Sequence, residues 1–294
     1  MAEGSKLHHR RPNGDPNISA PTNVTRQPGL PAEVAQEASD HAGNEFIRKA
    51  MEMRQQQVVD TSFLHGGTRA LDGIALHALC LGIALSASLL LCADLASYGY
   101  QIWRLPQFIA TLAIFHFLEF YTTARWNTTT AKVSSFLLFS NGTAYNIAHS
   151  CAMTEIVVTS LLAPNWQARF SAWYSMLFAA LLIVVGQSVR SIAMAQAGTN
   201  FNHIPVKERV EGHKLVTWGV YKHFRHPSYF GFFWWAIGTQ LFVGNVFCTF
   251  AYTVVLWRFF NARIKGEEKS LMQFFGKDYE DYKARTYTMI PFIR

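Results

Sequence analysis

The sequence predicts an all-α integral membrane protein of about six transmembrane helices, with a polar, chemistry-rich region toward its C-terminal end. Three observations carry this. Half of the 294 residues are hydrophobic and only 15% are charged, against roughly 25% charged in soluble domains. Apolar runs recur from residue 73 onward, at lengths near the ~20 residues that a bilayer crossing needs. The ionisable residues of that part gather at a few places instead of being spread along the chain.

The chain divides into three parts. Residues 1–70 form a polar tail rich in Pro, Asn, Gln and Gly. The first 60 residues hold seven Lys/Arg and eight Asp/Glu, a net −1, which leaves +8 on the remainder. Such a segment cannot bury enough apolar surface to fold by itself and is expected to be mostly disordered, with a short helix over 46–59. It lacks the apolar core of about 7–15 residues that a secretory signal requires. Residues 71–199 hold four spans, at 73–97, 106–124, 143–163 and 170–195. Pro106 opens the second, and Pro164 separates the third from the fourth. Residues 200–294 hold two shorter spans, 228–243 and 245–261. Gly244-Asn245 between them reads as the tight turn of a helical hairpin. Residues 266–285 read as a separate amphipathic helix, with Leu271, Phe275, Tyr279 and Tyr282 at three- or four-residue spacing, lying on the membrane or packed over the site.

Lys and Arg set the expected orientation, because cytosolic flanks carry them in excess. With six spans, the far-side loops hold only Arg104 and Arg169. The near side holds Arg69, Arg125, Lys132, Arg190, Lys207, Arg209, Lys214, Lys222, Arg225 and the basic C-terminal segment. Both termini are therefore expected in the cytosol. Cys80, Cys92, Cys151 and Cys248 lie in apolar runs without a CxxC pair and read as small buried hydrophobes. Glu119, Glu155, His77, His116 and His149 lie in or near spans and read as interhelical hydrogen-bonding groups. A transporter relay would need a repeat between chain halves, and their spacing shows none.

Two polar clusters flank the terminal hairpin. The first, His213-Lys-Leu-Val-Thr-Trp-Gly-Val-Tyr221-Lys-His223-Phe-Arg225-His226-Pro227-Ser228-Tyr229, ends where the fifth span begins. Proline suits a first helical turn, and a helix N-terminus attracts anions. His226 and Tyr229, three residues apart, point toward one pocket. The histidine spacing matches no common zinc pattern, so no metal is expected. In the second cluster, Arg263 and Glu267 share a helix face, and Glu268 follows. A surface ion pair is worth little. Charge at the end of an apolar hairpin is costly and tends to be functional, and an arginine there can clamp a carboxylate by two parallel hydrogen bonds. Nothing in the pattern points to nucleic acid. Phe233, Trp234 and Trp235 read mainly as lipid-facing.

The run HxLVTxGVYxxxRHPSYxG, then WWAIGTQ, then WRFFNARIxxEExxLxxFFGxxYxxYKxRxxxxIPFI resembles the isoprenylcysteine carboxyl methyltransferase family, from about Asn200 to Ile293. The Asn200-Phe-Asn-His203 stretch looks like that family too. The resemblance implies an endoplasmic reticulum membrane enzyme with a cytosol-facing C-terminal catalytic region. Its methyl donor would be S-adenosylmethionine. Its acceptor would be the α-carboxylate of a C-terminal farnesylated or geranylgeranylated cysteine in processed CaaX proteins, such as Ras-like GTPases and, in a fungal source, lipopeptide pheromones. By that analogy the cofactor pocket takes His213, Lys214, Leu215, Val216, Tyr221, His226, Pro227, Ser228, Tyr229 and Glu267, and Arg263 takes the substrate carboxylate. Arg263 and Glu267 are the catalytic candidates. Val206 stands where the family usually has a cofactor-contacting glutamine. Two other classes share part of the pattern. Membrane phospholipid N-methyltransferases carry RHPxYxG with paired glutamates but are usually shorter. Sterol reductases carry a similar His-Pro-x-Tyr element in longer chains.

Overall fold

The computed structural model describes residues 40, 41, 43–49, 60–203 and 212–293. They fall into two units, Met1–Asp60 and Thr61–Arg294. In the first, 43–49 are helical. The rest of the expected 46–59 helix, and the expected disorder of the tail, lie outside the described residues.

The second unit is helical. In chain order it comprises α1 (Leu71–Ser97), α2 (Arg104–Trp126), α3 (Thr143–Leu162), the short α4 (Pro164–Phe170), α5 (Trp173–Ala197), α6 (Pro227–Val243), α7 (Val246–Phe275) and α8 (Lys277–Ala284), joined by short 3₁₀ turns. Among the described residues there is no strand, only an isolated parallel bridge between Phe224 and Tyr287. Two of the helices, Leu71–Ser97 and the stretch Trp173–Asn200, are long and apolar enough to cross a membrane, with mean hydropathy 2.2 and 1.8. Large apolar side chains stand exposed along α1, α5 and α7, among them Leu90, Leu177, Val184, Phe247 and Phe250.

The helix pairings follow from side-chain size and from a few polar ties. α5 and α6 make the most extensive contact among the described elements, because glycine lets their backbones meet. A Cβ on Gly231 would sit 2.5 Å from the Gly186 carbonyl oxygen, and one on Gly186 would sit 2.6 Å from that of Gly231. Close backbone approach at small residues is the usual packing device where apolar surface alone gives no preference between helix and lipid. The interior is filled by Phe108, Phe115, Ile156 and Trp235, with the Phe115 and Trp235 rings stacked at 4.2 Å.

The α6–α7 turn forms as its residues require. Gly244 takes a left-handed conformation, φ 73°, and Asn245 Nδ2 donates to the Ala152 carbonyl and to Gln240 Oε1. Glu155 of α3 accepts from the backbone N–H groups of Phe247 and Cys248 at 2.9 and 2.7 Å. It thus supplies a carboxylate to the positive end of α7. His116 links Phe136 O and the Tyr145 hydroxyl. The reading of these groups as ties between separate elements holds for Glu155 and His116, whereas His77 and His149 bond to the Gly73 and Tyr145 carbonyls one turn back in their own helices.

Four expectations need correction. The helix of the last span does not stop at 261 before a separate 266–285 helix: α7 runs unbroken to Phe275 and breaks at Gly276, φ 53°. A polar face does not end a helix whose hydrogen bonds continue, whereas a glycine in a non-helical conformation does. The fourth span does not begin at 170: α4 and a bend at Ser171–Ala172 precede α5. Cys80 and Cys151 are exposed and only Cys248 is buried. Phe233 and Trp235 are buried in the core, while the Trp234 indole N–H donates to the Met289 carbonyl. α6 is covered on one side by α5 and on the other by α7 and the C-terminal segment, so its aromatic face is interior.

Candidate functional site

The site forms where the N-terminal end of α6, the polar half of α7 and residues 200–203 and 213–221 converge. Local sequence explains each part. Pro227 is the first residue of α6, after His226. Gly219 has φ +62°, and a Cβ there would lie 2.2 Å from the Gln196 side chain. Glycine therefore lets Gln196 Oε1 accept from the Val220 N–H at 2.8 Å. That turn sets Tyr221, whose hydroxyl donates to the Ala193 carbonyl. Asn200 Oδ1 accepts from the Lys214 N–H at 2.9 Å, closing the two ends of the 200–214 stretch on each other. Val206 lies outside the described residues.

One cleft is lined by all ten residues assigned to the cofactor: His213, Lys214, Leu215, Val216, Tyr221, His226, Pro227, Ser228, Tyr229 and Glu267. Asn200, Phe201, Leu271, Phe275, Tyr279 and Tyr282 also line it. The end of α7 and α8 thus pack over the site. His223 is exposed and stands apart from the cleft.

Arg263 sits at the edge of this cleft. Its Nε donates to the Tyr229 hydroxyl at 2.9 Å, its Nη2 donates to the His203 carbonyl, and its guanidinium lies 5.3 Å from the Tyr229 ring centroid. The Tyr229 hydroxyl in turn donates to Glu267 Oε2 at 2.6 Å. Arg263 and Glu267 do not pair directly; the tyrosine hydroxyl stands between them. Glu268 faces the other way. It takes Arg225 Nε at 2.6 Å and Lys283 Nζ at 2.6 Å, with His226 Nε2 at 3.4 Å. Burial raises its pKa, but hydrogen bonds from His226, Lys283 and Arg225 outweigh that and hold it at about 2. Of the two glutamates, Glu267 serves the cleft and Glu268 ties α7 to α8 and to the chain before α6.

A second polar group was not legible as a unit. Arg190 of α5 is buried, not a flank charge. Its Nε and Nη2 take both oxygens of Glu119 of α2 at 2.5 and 2.8 Å, and its Nη1 donates to Ser228 Oγ at 2.9 Å. The buried pair therefore fixes a cleft residue. The available signal was one unmatched charge in each of two apolar segments. His203 Nδ1 lies 3.8 Å from Glu119 Oε2. Burial pushes the His203 pKa down to about 4, with Arg190 and Arg263 adding to the shift and Glu119 opposing it.

Comparisons with known proteins agree with this architecture. The isoprenylcysteine carboxyl methyltransferase family model matches residues 178–273, which include Arg190, both glutamates and the cleft residues up to Leu271, but not Phe275, Tyr279 and Tyr282. The protein-S-isoprenylcysteine O-methyltransferase of Saccharomyces cerevisiae is 44% identical over 189 residues, 63% of this chain and 79% of that protein. The human protein of the same name is 37% identical over 221 residues, 75% of each chain. A solved structure described as a eukaryotic intramembrane Ras methyltransferase superposes with a TM-score of 0.69 at 34% identity, covering 75% of this chain and 77% of that one. With relatives of this identity matched over most of their length, the chain belongs to the isoprenylcysteine carboxyl methyltransferase family.

Proposed function

We propose that this protein esterifies the C-terminal α-carboxylate of a prenylated cysteine in processed CaaX proteins, such as Ras-like GTPases and, in a fungal source, lipopeptide pheromones. The methyl donor is S-adenosylmethionine. The observation that carries this reading is Arg263, held by Tyr229 and the His203 carbonyl at the rim of a cleft whose inner carboxylate is Glu267.

The donor set of the cleft suits that cofactor. Leu215, Val216, Leu271 and Phe275 give apolar walls for an adenosine ring, and the Glu267 carboxylate suits a ribose hydroxyl or an ammonium group. When bound, the cofactor supplies an electrophilic methyl on a sulfonium. The chain's own residues then have little proton chemistry to do. A C-terminal carboxylate has a pKa near 3.5 and is already ionised at neutral pH, so no general base is required. Arg263 carries no hydrogen bond at Nη1 among the described residues. It can take a carboxylate end-on through Nη1 and the second proton of Nη2 and orient one oxygen for in-line attack. Holding two partners in attack geometry is worth several kcal/mol, of the order of 7–11 in well-oriented cases. Apolar surroundings strip water from the carboxylate and leave it more nucleophilic.

The prenyl chain explains the setting, since each buried CH₂ contributes about 0.8 kcal/mol to partitioning into lipid. The two long apolar helices and the exposed apolar side chains of α1, α5 and α7 support a membrane location. In this reading the chain has six spans in the endoplasmic reticulum membrane. Its termini and cleft face the cytosol, as the Lys/Arg distribution favours. The test uses membranes containing the protein and methyl-labelled S-adenosylmethionine. Base-labile label on N-acetyl-S-farnesylcysteine, and none on unprenylated N-acetylcysteine, is expected. Base-stable label on phosphatidylethanolamine instead would make it an amine methyltransferase.

A further inference from the structure

We propose that the Tyr229 hydroxyl is a positioning group coupling the cofactor cleft to the substrate carboxylate, so that each ligand tightens the binding of the other. The inference rests on the methyltransferase reading above. It starts from a hydrogen-bond chain with a single direction. A phenol has one proton to donate, and here the hydroxyl oxygen donates it to Glu267 Oε2, 2.6 Å away. The lone pairs of the same oxygen are left for Arg263 Nε at 2.9 Å. Arg263 and Glu267 lie one helical turn apart on α7, and among the described residues their side chains are bridged by this residue of α6.

The hydroxyl is held in place by its ring. That ring is stacked on His226 at 5.4 Å and 5° and on Phe260 at 5.2 Å and 30°, with the Arg263 guanidinium 5.3 Å from its centroid. A ligand that engages Glu267 fixes the carboxylate that fixes the hydroxyl, and the hydroxyl aims Arg263. In the opposite direction, a substrate carboxylate on Arg263 strengthens Nε–H donation and polarises the phenol toward Glu267. Chained hydrogen bonds reinforce one another in this way, and coupling between two binding events is reciprocal by linkage.

The experiment measures the dissociation constant of S-adenosylhomocysteine on the full chain in detergent micelles, with and without saturating N-acetyl-S-farnesylcysteine. The reverse titration gives the second half of the cycle. The wild type is expected to show the same factor in both directions, about fivefold or more. Tyr229→Phe keeps the ring, its stacking and its contact with the guanidinium, and removes only the relay; its factor is expected to fall to one. Arg263→Lys keeps a cation without Nε. Its factor, read at a farnesylcysteine concentration shown by the reverse titration to saturate the variant, should also be one, and it decides the matter if Tyr229→Phe binds neither ligand. A wild type without coupling, or coupling that survives in either variant, overturns the proposal. A wild type that binds neither ligand rejects the methyltransferase reading itself.

Discussion

Gly231→Ala tests whether the α5–α6 contact sets the geometry of the cleft. The added Cβ would lie 2.5 Å from the Gly186 carbonyl oxygen and 2.8 Å from the Arg190 backbone nitrogen. Both are backbone atoms, so no side chain can rotate away. Ordinary contact begins near 3.4 Å, so the helices must part by roughly 0.9 Å, and a misplacement of about 1 Å costs on the order of 10²-fold in rate. Ser228 and Tyr229 lie within a turn of the crossing, and Arg190 spans it, so the displacement reaches the cleft directly. Alanine is the better helix former by about 1 kcal/mol, while overpacking costs about 1–3 kcal/mol. The melting temperature should therefore fall modestly and kcat steeply. Gly82→Ala in α1, where a Cβ meets nothing within 4 Å, is the control and should be neutral or slightly stabilising. The assay is methyl transfer to N-acetyl-S-farnesylcysteine at saturating substrates, with thermal unfolding in detergent. A Gly231→Ala protein with wild-type kcat would refute the claim that this crossing positions the site.

Three further outcomes are expected. Arg263→Ala should abolish turnover while leaving the protein folded and S-adenosylhomocysteine binding intact by calorimetry; joint loss of folding and cofactor binding would show that the arginine is structural. Glu119→Leu alone strands the Arg190 guanidinium in the interior and should cost about 3–5 kcal/mol, whereas Glu119→Leu with Arg190→Met should recover much of that stability; equal melting temperatures for single and double variants would contradict a coupled pair. Acidification should destabilise the fold in two stages, measured by thermal unfolding across pH. Glu268 and His203 both have folded pKa values below their unfolded ones, so the unfolded chain takes up more protons. The His203 contribution should fade from about pH 6.5 to about 4, and that of Glu268 from about 4.5 to about 2. Glu268→Gln should flatten the lower stage, and an unchanged profile would count against its charged pairing.

Much of this fold could be read from the chain alone, because helices are local. Hydrophobic run length, Pro164 and Gly244-Asn245 located α1, α3, α6 and the hairpin turn to within about two residues of their observed ends. The cleft was legible for a different reason: its ten assigned residues were implied by the family resemblance, nine of them lying in the continuous stretch 213–229, while the contact that brings Glu267 to Tyr229 across 38 positions came only with the fold. The α7 boundary was misread because a change from apolar to polar residues marks where a helix leaves lipid, not where it stops. Gly276, not the charge at 263–269, interrupts the hydrogen bonding. The tryptophans were assigned outward because an aromatic run has no periodicity to separate a core face from a lipid face.

What the sequence determined by itself was composition-driven and local: the helical class, the membrane-suited apolar runs, a His-Pro-Ser-Tyr helix start and an Arg-Glu-Glu cluster past the last apolar run. What only the tertiary structure decided was which charge meets which. Arg190 found Glu119 across 71 positions, Glu268 turned to Arg225 and Lys283, and Tyr229 came between Arg263 and Glu267. The reason is physical. A buried charge is tolerated only beside its partner, and that partner is chosen by where close-packed backbones, here meeting at Gly186 and Gly231, bring two helices into contact.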